Sequence, residues 1–232
     1  MKKDSEPSTS VVCILGISLA GFGVLLGFIY LTTFPLPAYS NLSEREKALE
    51  ERESIAPNPG EAYYIEGPVS RSRAWESARK QFIDGSVSTL TVTAGEINAW
   101  FASRFRSSVP PAGEDDEKLL IVPKILNMGI SREGEIYLNL PVEIAGFGID
   151  GEYVFSAVVS YAEGAPASLQ IKHLQIGGAP VPLAGILGAQ FVSKIMQAYS
   201  SAEEFQLVSK AWQRVQSVEA KDGALVLTLN KL

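Results

Sequence analysis

The chain has 232 residues, of which 46% are hydrophobic, and a formal net charge of −6 from 20 basic and 26 acidic residues. This balance provides no strongly basic domain, which argues against a nucleic-acid-binding protein. Cys13 is the one cysteine of the sequence, so the chain can form no internal disulfide and cysteine usage does not indicate a compartment.

The first predicted element is an apolar run over 11–31 that contains no charge, amide or proline. About 20 apolar residues, at about 1.5 Å of helical rise each, cross a hydrocarbon core of about 30 Å. The run is longer than the core of a cleaved secretory signal, and no clear small-x-small site follows it. We therefore predict a cytoplasmic tail over 1–10 and an uncleaved transmembrane helix over 11–33.

The charges beside this run set the predicted orientation. Lys2 and Lys3 precede it and weakly favour an amino terminus inside the cell. The expected location is then a cell inner membrane, crossed once, with the C-terminal domain on the extracytoplasmic (periplasmic) side.

Small residues form one thin stripe along the same run, at Gly16, Ala20, Gly23 and Gly27. Such a stripe lets helices pack closely and indicates homo- or hetero-oligomers through this helix. The alternative is that glycine and alanine are simply common in membrane helices.

Residues 34–60 are predicted to be a polar helical spacer and a linker. Ser43 and Glu46 fit a capping box for a short helix that is polar on nearly every side, which favours a solvated spacer over a bundle. The proline- and glycine-rich segment 56–60 has linker chemistry. The folded extracytoplasmic domain is expected over 61–232.

Two helices and a strand open this domain. Residues 70–83 are amphipathic, and their basic side chains either meet anionic lipid or, as we favour, form a solvated face over a buried core. A strand over 87–92 precedes a helix that a capping box of Thr93 and Glu96 opens. The acidic run 114–117 is predicted to be a solvated loop, since it lacks the ligand spacing of a calcium loop.

Residues 136–144 then alternate between apolar and polar with period two, which is typical of a strand with one buried face. Further strands are predicted over 152–161 and 168–176, and their short connections indicate an antiparallel meander. Gly146, Gly148 and Gly151 match a dinucleotide-binding string, but the segment after them is predicted to be a strand, so they more readily bend or bulge the sheet.

The C-terminal third is predicted to hold a long amphipathic helix over 183–199, a helix over 203–215 and a hairpin that turns at Asp222-Gly223. The fold class is therefore α+β: an N-terminal transmembrane helix, then an antiparallel sheet packed on one long amphipathic helix, with shorter helices.

The sequence shows no catalytic constellation. His173 is the one histidine, and no HExxH or paired-cysteine metal motif occurs. We expect a protein that is not an enzyme and that has no metal site and no cofactor.

The strings LTVTAGEINAWFA and LQIKHLQIGGAPVPLAGILG, with the short motifs at 90–93, 96–98 and 176–182, resemble uncharacterised bacterial single-pass membrane proteins that are similar to the tubular lipid-binding (TULIP-like) group. The resemblance covers about residues 85–230. It implies a curved antiparallel sheet wrapped around a long helix, with an apolar groove whose lining positions bind lipid.

These patterns lead to two hypotheses of function. In the first, a membrane-anchored domain binds membrane lipid or another hydrophobic ligand in a sheet–helix groove lined by Tyr153, Phe155, Leu187 and Phe191. In the alternative, the core is full and the protein is a non-catalytic scaffold or assembly subunit of an envelope or secretion complex, recruited through the stripe of small residues.

Overall fold

The computed structural model describes residues 9–34, 36–51, 63–105, 120–145, 151–164, 166–181, 199 and 203–230, and it has the predicted α+β class. Its helices are α1 (Thr9–Thr32), α2 (Leu42–Glu50), α3 (Ala74–Asp84), α4 (Ala94–Arg104) and α5 (Glu203–Trp212). Its strands are β1 (Ala38–Tyr39), β2 (Tyr64–Ile65), β3 (Thr89–Thr93), β4 (Leu120–Pro123), β5 (Asn127–Ile130), β6 (Ile136–Ala145), β7 (Gly151–Ala162), β8 (Ser168–Ile176), β9 (Ala179–Pro180), β10 (Val215–Lys221) and β11 (Ala224–Leu229).

The strands form three sheets. A six-stranded antiparallel sheet has the order β4-β6-β7-β8-β9, with β5 also paired to β6. A three-stranded antiparallel sheet has the order β10-β11-β3, and β1 and β2 form a short parallel pair. The predicted meander of β6, β7 and β8 is confirmed, as is the hairpin of β10 and β11.

The period-two pattern gives the six-stranded sheet one apolar face. Residues opposite each other in an antiparallel pair share a face, so Ile136 lies beside Val159 and Leu140 beside Phe155. The other face, called here the second face, carries polar pairs such as Asn139 and Ser156.

The main core lies over one half of the apolar face. Helices α3, α4 and α5 and the three-stranded sheet pack there around side chains such as Phe82, Trp100, Val159 and Leu227. Phe82 lies with its ring edge-on to Trp100 and to Trp212, at centroid distances of 6.2 and 6.4 Å. This layer of short helices contacts only part of the sheet, and the rest of the apolar face forms a separate cluster.

The prediction of an N-terminal transmembrane helix is wrong by this structure. Among the helices within the described residues, none is both long and apolar enough to cross a membrane.

The spacer also differs from its prediction. The N-cap of α2 is Asn41, whose side chain accepts a 2.9 Å hydrogen bond from the Glu44 amide, so the helix begins one residue before the predicted cap at Ser43. The segment contacts the domain where β1 pairs with β2 and where the Arg45 guanidinium lies 4.0 Å over the Tyr63 ring, while α2 buries none of its side chains.

Several predictions fall outside the described residues. These are most of the long helix at 183–199, the acidic run 114–117 and the glycines at 146 and 148. The packing of the sheet on one long helix therefore stays a prediction, and the described helical layer consists of α3, α4 and α5.

Candidate functional site

The distal cluster is the second hydrophobic cluster on the apolar face of the six-stranded sheet, separate from the main core. Leu140, Val142 and Phe155 form its buried centre, and half-buried side chains pack around them at Leu126, Ile144, Tyr153 and Ile176. The register of β6 and β7 builds it, because Leu140 lies opposite Phe155 and Val142 opposite Tyr153. The structure thus places two predicted groove residues, Tyr153 and Phe155, on one face and in one cluster.

The centre of the distal cluster is withdrawn from water. Val142 is 0% exposed, Leu140 is 3% exposed and Phe155 is 7% exposed. The other two predicted groove residues, Leu187 and Phe191, lie outside the described residues. A side chain of this size is favoured in such a place by about 2 kcal/mol of transfer free energy, so the cluster is a strongly apolar, buried part of the sheet.

Charged residues lie beside this end of the sheet. Glu143 and Glu152 are directly opposite on the second face, where like charges repel. Lys124 offsets this repulsion, with its Nζ 2.5 Å from Glu152 Oε2 and 4.0 Å from Glu143 Oε2. The hydrogen bond to Glu152 raises the pKa of Lys124, so the lysine is charged at neutral pH.

Tyr199 joins the same edge. Its hydroxyl donates a 2.5 Å hydrogen bond to the Lys124 carbonyl oxygen, and its ring lies 6.4 Å from that of Phe105. Burial raises the pKa of Tyr199 to about 12. The hydroxyl therefore stays protonated at neutral pH and acts as a donor that fixes the loop after β4.

An extended segment, Tyr63–Pro68, crosses the second face of the sheet and is called here the strap. Amide side chains from four elements bind its backbone. Asn139 Nδ2 donates to the Ile65 carbonyl at 3.0 Å, Gln175 Nε2 to the Tyr63 carbonyl at 3.0 Å and Asn98 Nδ2 to the Pro68 carbonyl at 2.9 Å. Asn127 both accepts from the Gly67 amide and donates to its carbonyl.

Close approach to β5 requires glycine in the strap. A Cβ on Gly67 would lie 1.8 Å from the Met128 carbonyl oxygen and 2.7 Å from Asn98 Nδ2. Asn98 also binds the Met128 backbone on both sides, accepting from its amide at 2.7 Å and donating to its carbonyl at 3.0 Å. The strap is therefore held by specific polar contacts on a buried surface, and the alternation of β6 and β8 alone does not reveal them.

A chain of phenols lies beside the strap. The Tyr63 and Tyr137 hydroxyls are 3.2 Å apart, and the Tyr137 hydroxyl donates to Glu135 at 2.7 Å. Burial first, and then the hydrogen bonds to Tyr63 and Glu135, raise the pKa of Tyr137 far above its ordinary range. This phenol does not release its proton near neutral pH, so the chain is a structural contact.

The last turn of α1 docks on the turn between β8 and β9. The Gly178 amide donates to the carbonyl oxygens of Leu31 at 3.0 Å and Phe34 at 3.1 Å. Gly177 has a φ of +53°, and a Cβ there would lie 2.3 Å from the Thr32 carbonyl oxygen. Glycine satisfies both demands, since it has no Cβ and adopts positive φ readily.

Above this turn, α1 carries an exposed apolar surface. Eight large apolar side chains of the helix are at least half exposed, at Ile17, Leu19, Phe22, Val24, Leu25, Leu26, Ile29 and Tyr30. Along the predicted stripe, a Cβ at Gly16, Gly23 or Gly27 would meet no atom within 4 Å. Ala20 is likewise exposed, so no described residue packs against the stripe.

One arginine of the basic helix predicted over 70–83 has a structural role. Arg79 forms a two-pronged ion pair with Glu204, at 2.5 and 2.6 Å, and Trp100 Nε1 donates to the same carboxylate at 2.7 Å. Burial raises the pKa of Glu204, but the hydrogen bonds from Arg79 and Trp100 outweigh it and hold the pKa below its ordinary value. Arg79 thus ties α3 to α5 and is not part of a free basic surface.

A cleft of about 260 Å³ separates the strap from the start of α4. Residues of small volume dominate its wall, which includes Ser40, Glu66, Gly67, Ser70, Thr93, Ala94, Gly95 and Gly223. The hydroxyl of Thr93 is already used, because it accepts from the Glu96 amide in the predicted capping box, which is confirmed. The cleft was not predictable from sequence, since its walls come from segments far apart in the chain.

Side chains that could act in catalysis or bind a metal do not converge elsewhere in the described part of the chain. His173 is exposed on the second face of β8. Within the same residues, His, Cys, Asp and Glu form no group of three or more that could hold a metal ion. The candidate site is therefore the distal cluster, a buried apolar cluster next to the contact between α1 and the β8–β9 turn.

Comparison of the chain with known protein families and with curated proteins finds no match.

Proposed function

We propose that the protein binds a hydrophobic ligand of the acyl-chain class at the distal cluster. The observation that supports this proposal is a second apolar cluster on the six-stranded sheet, which is separate from the main core. Leu140, Val142 and Phe155 form the buried centre of this cluster on β6 and β7.

The chemistry of the cluster fits an aliphatic chain. Its members are branched aliphatic and aromatic side chains, which match the apolar lining with few polar groups that is typical of ligand sites. The charged set of Lys124, Glu143 and Glu152 lies beside the same end of the sheet. These charges lie on the second face, across the sheet from the cluster, so they do not line the place that an apolar tail would occupy.

Purification without detergent, followed by extraction and mass spectrometry, tests the proposal directly. We expect a co-purifying lipid at a stoichiometry near one per chain. Binding of cis-parinaric acid, a fluorescent fatty acid, gives the matching measurement on the stripped protein. Recovery of no lipid together with no change in parinaric fluorescence would rule the proposal out.

A matched pair of variants on one strand separates binding from folding. Tyr153 and Tyr161 lie on the same face of β7, but Tyr153 borders the distal cluster and Tyr161 packs 5.6 Å from Trp212 in the main core. We expect Tyr153→Ala to weaken parinaric acid several-fold with little change in stability. Tyr161→Ala should lower the melting temperature and leave the affinity of the remaining folded protein unchanged.

The second candidate function is an assembly subunit without a ligand. The exposed apolar surface of α1 favours it, since contiguous apolar surface of this kind is rare on isolated soluble proteins and marks interaction sites. In a Cys13→Ala background, disulfide crosslinking at Gly23→Cys and Gly27→Cys should then give a defined complex on native gels. Leu25→Cys, on the opposite side of the helix, is the control.

Under both hypotheses, we propose that the protein is located in the cell envelope. Fractionation of expressing cells tests it, and recovery of the chain with cytosolic proteins would contradict it.

A further inference from the structure

We infer that docking of the α1 end on the Gly177-Gly178 turn is coupled to the distal cluster, so that the position of α1 and the occupancy of the cluster influence each other. This inference rests on the proposed function for its ligand. Its structural part, the connection between α1 and β7, can be tested without any ligand.

The first step of the connection is the docking contact. The carbonyl groups in the last turn of a helix have no partner within the helix, and the Gly178 amide supplies one to Leu31 and Phe34. The Tyr30 and Phe34 rings pack edge to face at 4.7 Å and stiffen this end of α1. The contact therefore holds the helix end in one place against the β8–β9 turn.

The second step runs from the turn into the cluster. The Gly177 amide donates a 2.9 Å hydrogen bond to the Val154 carbonyl oxygen. Val154 lies between Tyr153 and Phe155, the two described members of the predicted groove. In addition Ile176, the residue before Gly177, lies opposite Phe155 in the sheet and packs on the cluster.

Two successive peptide units thus connect both ends, since the Gly178 amide binds the end of α1 and the Gly177 amide binds β7. A shift of α1 that moves Gly177 must also move the hydrogen bond to Val154 and the side chain of Ile176. A chain inserted beside Phe155 must in turn displace Ile176 and the turn. Because coupling between two binding events is reciprocal, ligand binding should stabilise or weaken α1 docking by the same factor by which docking alters ligand affinity.

A matched glycine pair tests the coupling. Gly177 and Gly223 both have positive φ, at +53° and +74°, but a Cβ on Gly177 would meet the Thr32 carbonyl at 2.3 Å, whereas a Cβ on Gly223 would meet nothing within 4 Å. Asparagine tolerates this backbone conformation better than most residues. Gly177→Asn should therefore undock α1, while Gly223→Asn controls for the backbone change.

The readouts on the full-length chain are hydrogen exchange and cis-parinaric acid affinity. We expect Gly177→Asn to speed exchange both at the last turn of α1 and at amides 153–155, and to change parinaric affinity by about fivefold or more. Gly223→Asn should stay within about twofold of the wild type. Faster exchange at α1 alone, with β7 exchange and affinity as in the wild type, would overturn the inference.

If the proposed function is wrong, the same experiment gives a different result. If the wild type does not bind parinaric acid, the ligand hypothesis fails, and exchange at amides 153–155 in Gly177→Asn alone decides the coupling: a rise supports it and no change overturns it. Should Gly177→Asn not fold, Phe34→Gly loosens the same contact by removing the ring from Tyr30. The same changes, smaller in size, are then expected, and their absence contradicts the coupling.

Discussion

At the scale of single residues, Glu204 joins three helices. Its carboxylate, on α5, binds Arg79 of α3 and Trp100 of α4, and the residue is 7% exposed. Three hydrogen bonds to one anion, in a place of restricted solvent, make it the polar centre of the helical layer. Loss of the charge leaves Arg79 and the Trp100 N–H without their acceptor, and such loss is costly.

Glu204→Gln should lower the free energy of unfolding by about 2–3 kcal/mol, since one partner of a largely buried ion pair remains without its counterpart. Glu203→Gln, at the exposed neighbouring position, removes the same charge without that contact and should change stability by less than about 0.5 kcal/mol. Urea unfolding of both variants measures the difference. Equal effects would show that the ion pair does not stabilise the fold.

The same carboxylate makes the stability of the protein depend on pH in the acid range. Because its pKa in the folded protein lies below the ordinary value of 4.5, its contribution is fully present above that value and is lost as the pH falls through the folded pKa. The stability difference between wild type and Glu204→Gln should therefore be constant near neutrality and shrink below about pH 4.5. A difference that instead grows on acidification would contradict the assignment.

At this scale, local contacts could be predicted from sequence and distant ones could not. The capping box of Thr93 and Glu96 was predicted because both partners lie within one turn. Arg79 and Glu204 are 125 positions apart, and periodicity carries no information about which charged residues of two amphipathic helices meet. From the sequence, Arg79 was therefore predicted to be part of a solvated basic face.

At the scale of elements, the strap is the feature that holds the N-terminal segment on the domain. Its two-residue strand β2 pairs with β1 and lies on the buried polar second face. Asn139 and Gln175 occupy positions of an alternating strand that normally face water, which is why the sequence did not indicate a covered face. Asn139 and Ser156 are nevertheless 2% and 1% exposed.

Two glycines on the wall of the same cleft should respond in opposite ways to alanine. Gly67→Ala places a methyl group against the Met128 backbone and should cost about 3 kcal/mol or more through overpacking. Gly95→Ala adds a methyl at ordinary contact distance, 3.4 Å from the Ser70 amide, within α4, and should stabilise the protein by about 0.5 kcal/mol. Thermal unfolding of the two variants distinguishes them.

At the scale of the whole molecule, the main core connects both antiparallel sheets. Val215 and Leu225 of the three-stranded sheet share it with Ile136 and Val159 of the six-stranded sheet. The two sheets also meet through main-chain hydrogen bonds, from the Gly164 amide to Gln216 and from the Ala167 amide to Val215. Neither sheet can separate without exposing the core of the other.

We therefore expect the two sheets to unfold as one unit. Native-state hydrogen exchange should give amides in β11 and in β6 the same free energy of opening within error, since both then exchange only through global unfolding. Val159→Ala should lower both values by the same amount. A lower value for β11 alone would show that the three-stranded sheet opens independently.

The overall architecture was predictable to the extent that it follows from alternation and helical periodicity. The α+β class and the strands over 136–144, 152–161 and 168–176 came from patterns within single elements. The three-sheet arrangement and the docking of α1 depend on contacts between distant segments, so no single pattern contains them. The transmembrane interpretation rested on the length and composition of one apolar run, and the described residues include no helix that is long and apolar enough to cross a membrane.

Strand β8 carries a further consequence in its pairing with β7. The register shifts beside Val158 and Val159, so that Lys172 and His173 are both exposed while Ile171 and Leu174 both face inward. One residue there is surplus to the ladder, as in a β-bulge. Lys172 is the residue that the ladder skips, since His173 pairs with Val158 and Ile171 pairs with Val159. Removal of Lys172 would restore unbroken alternation and keep every aliphatic side chain of the strand on its present side.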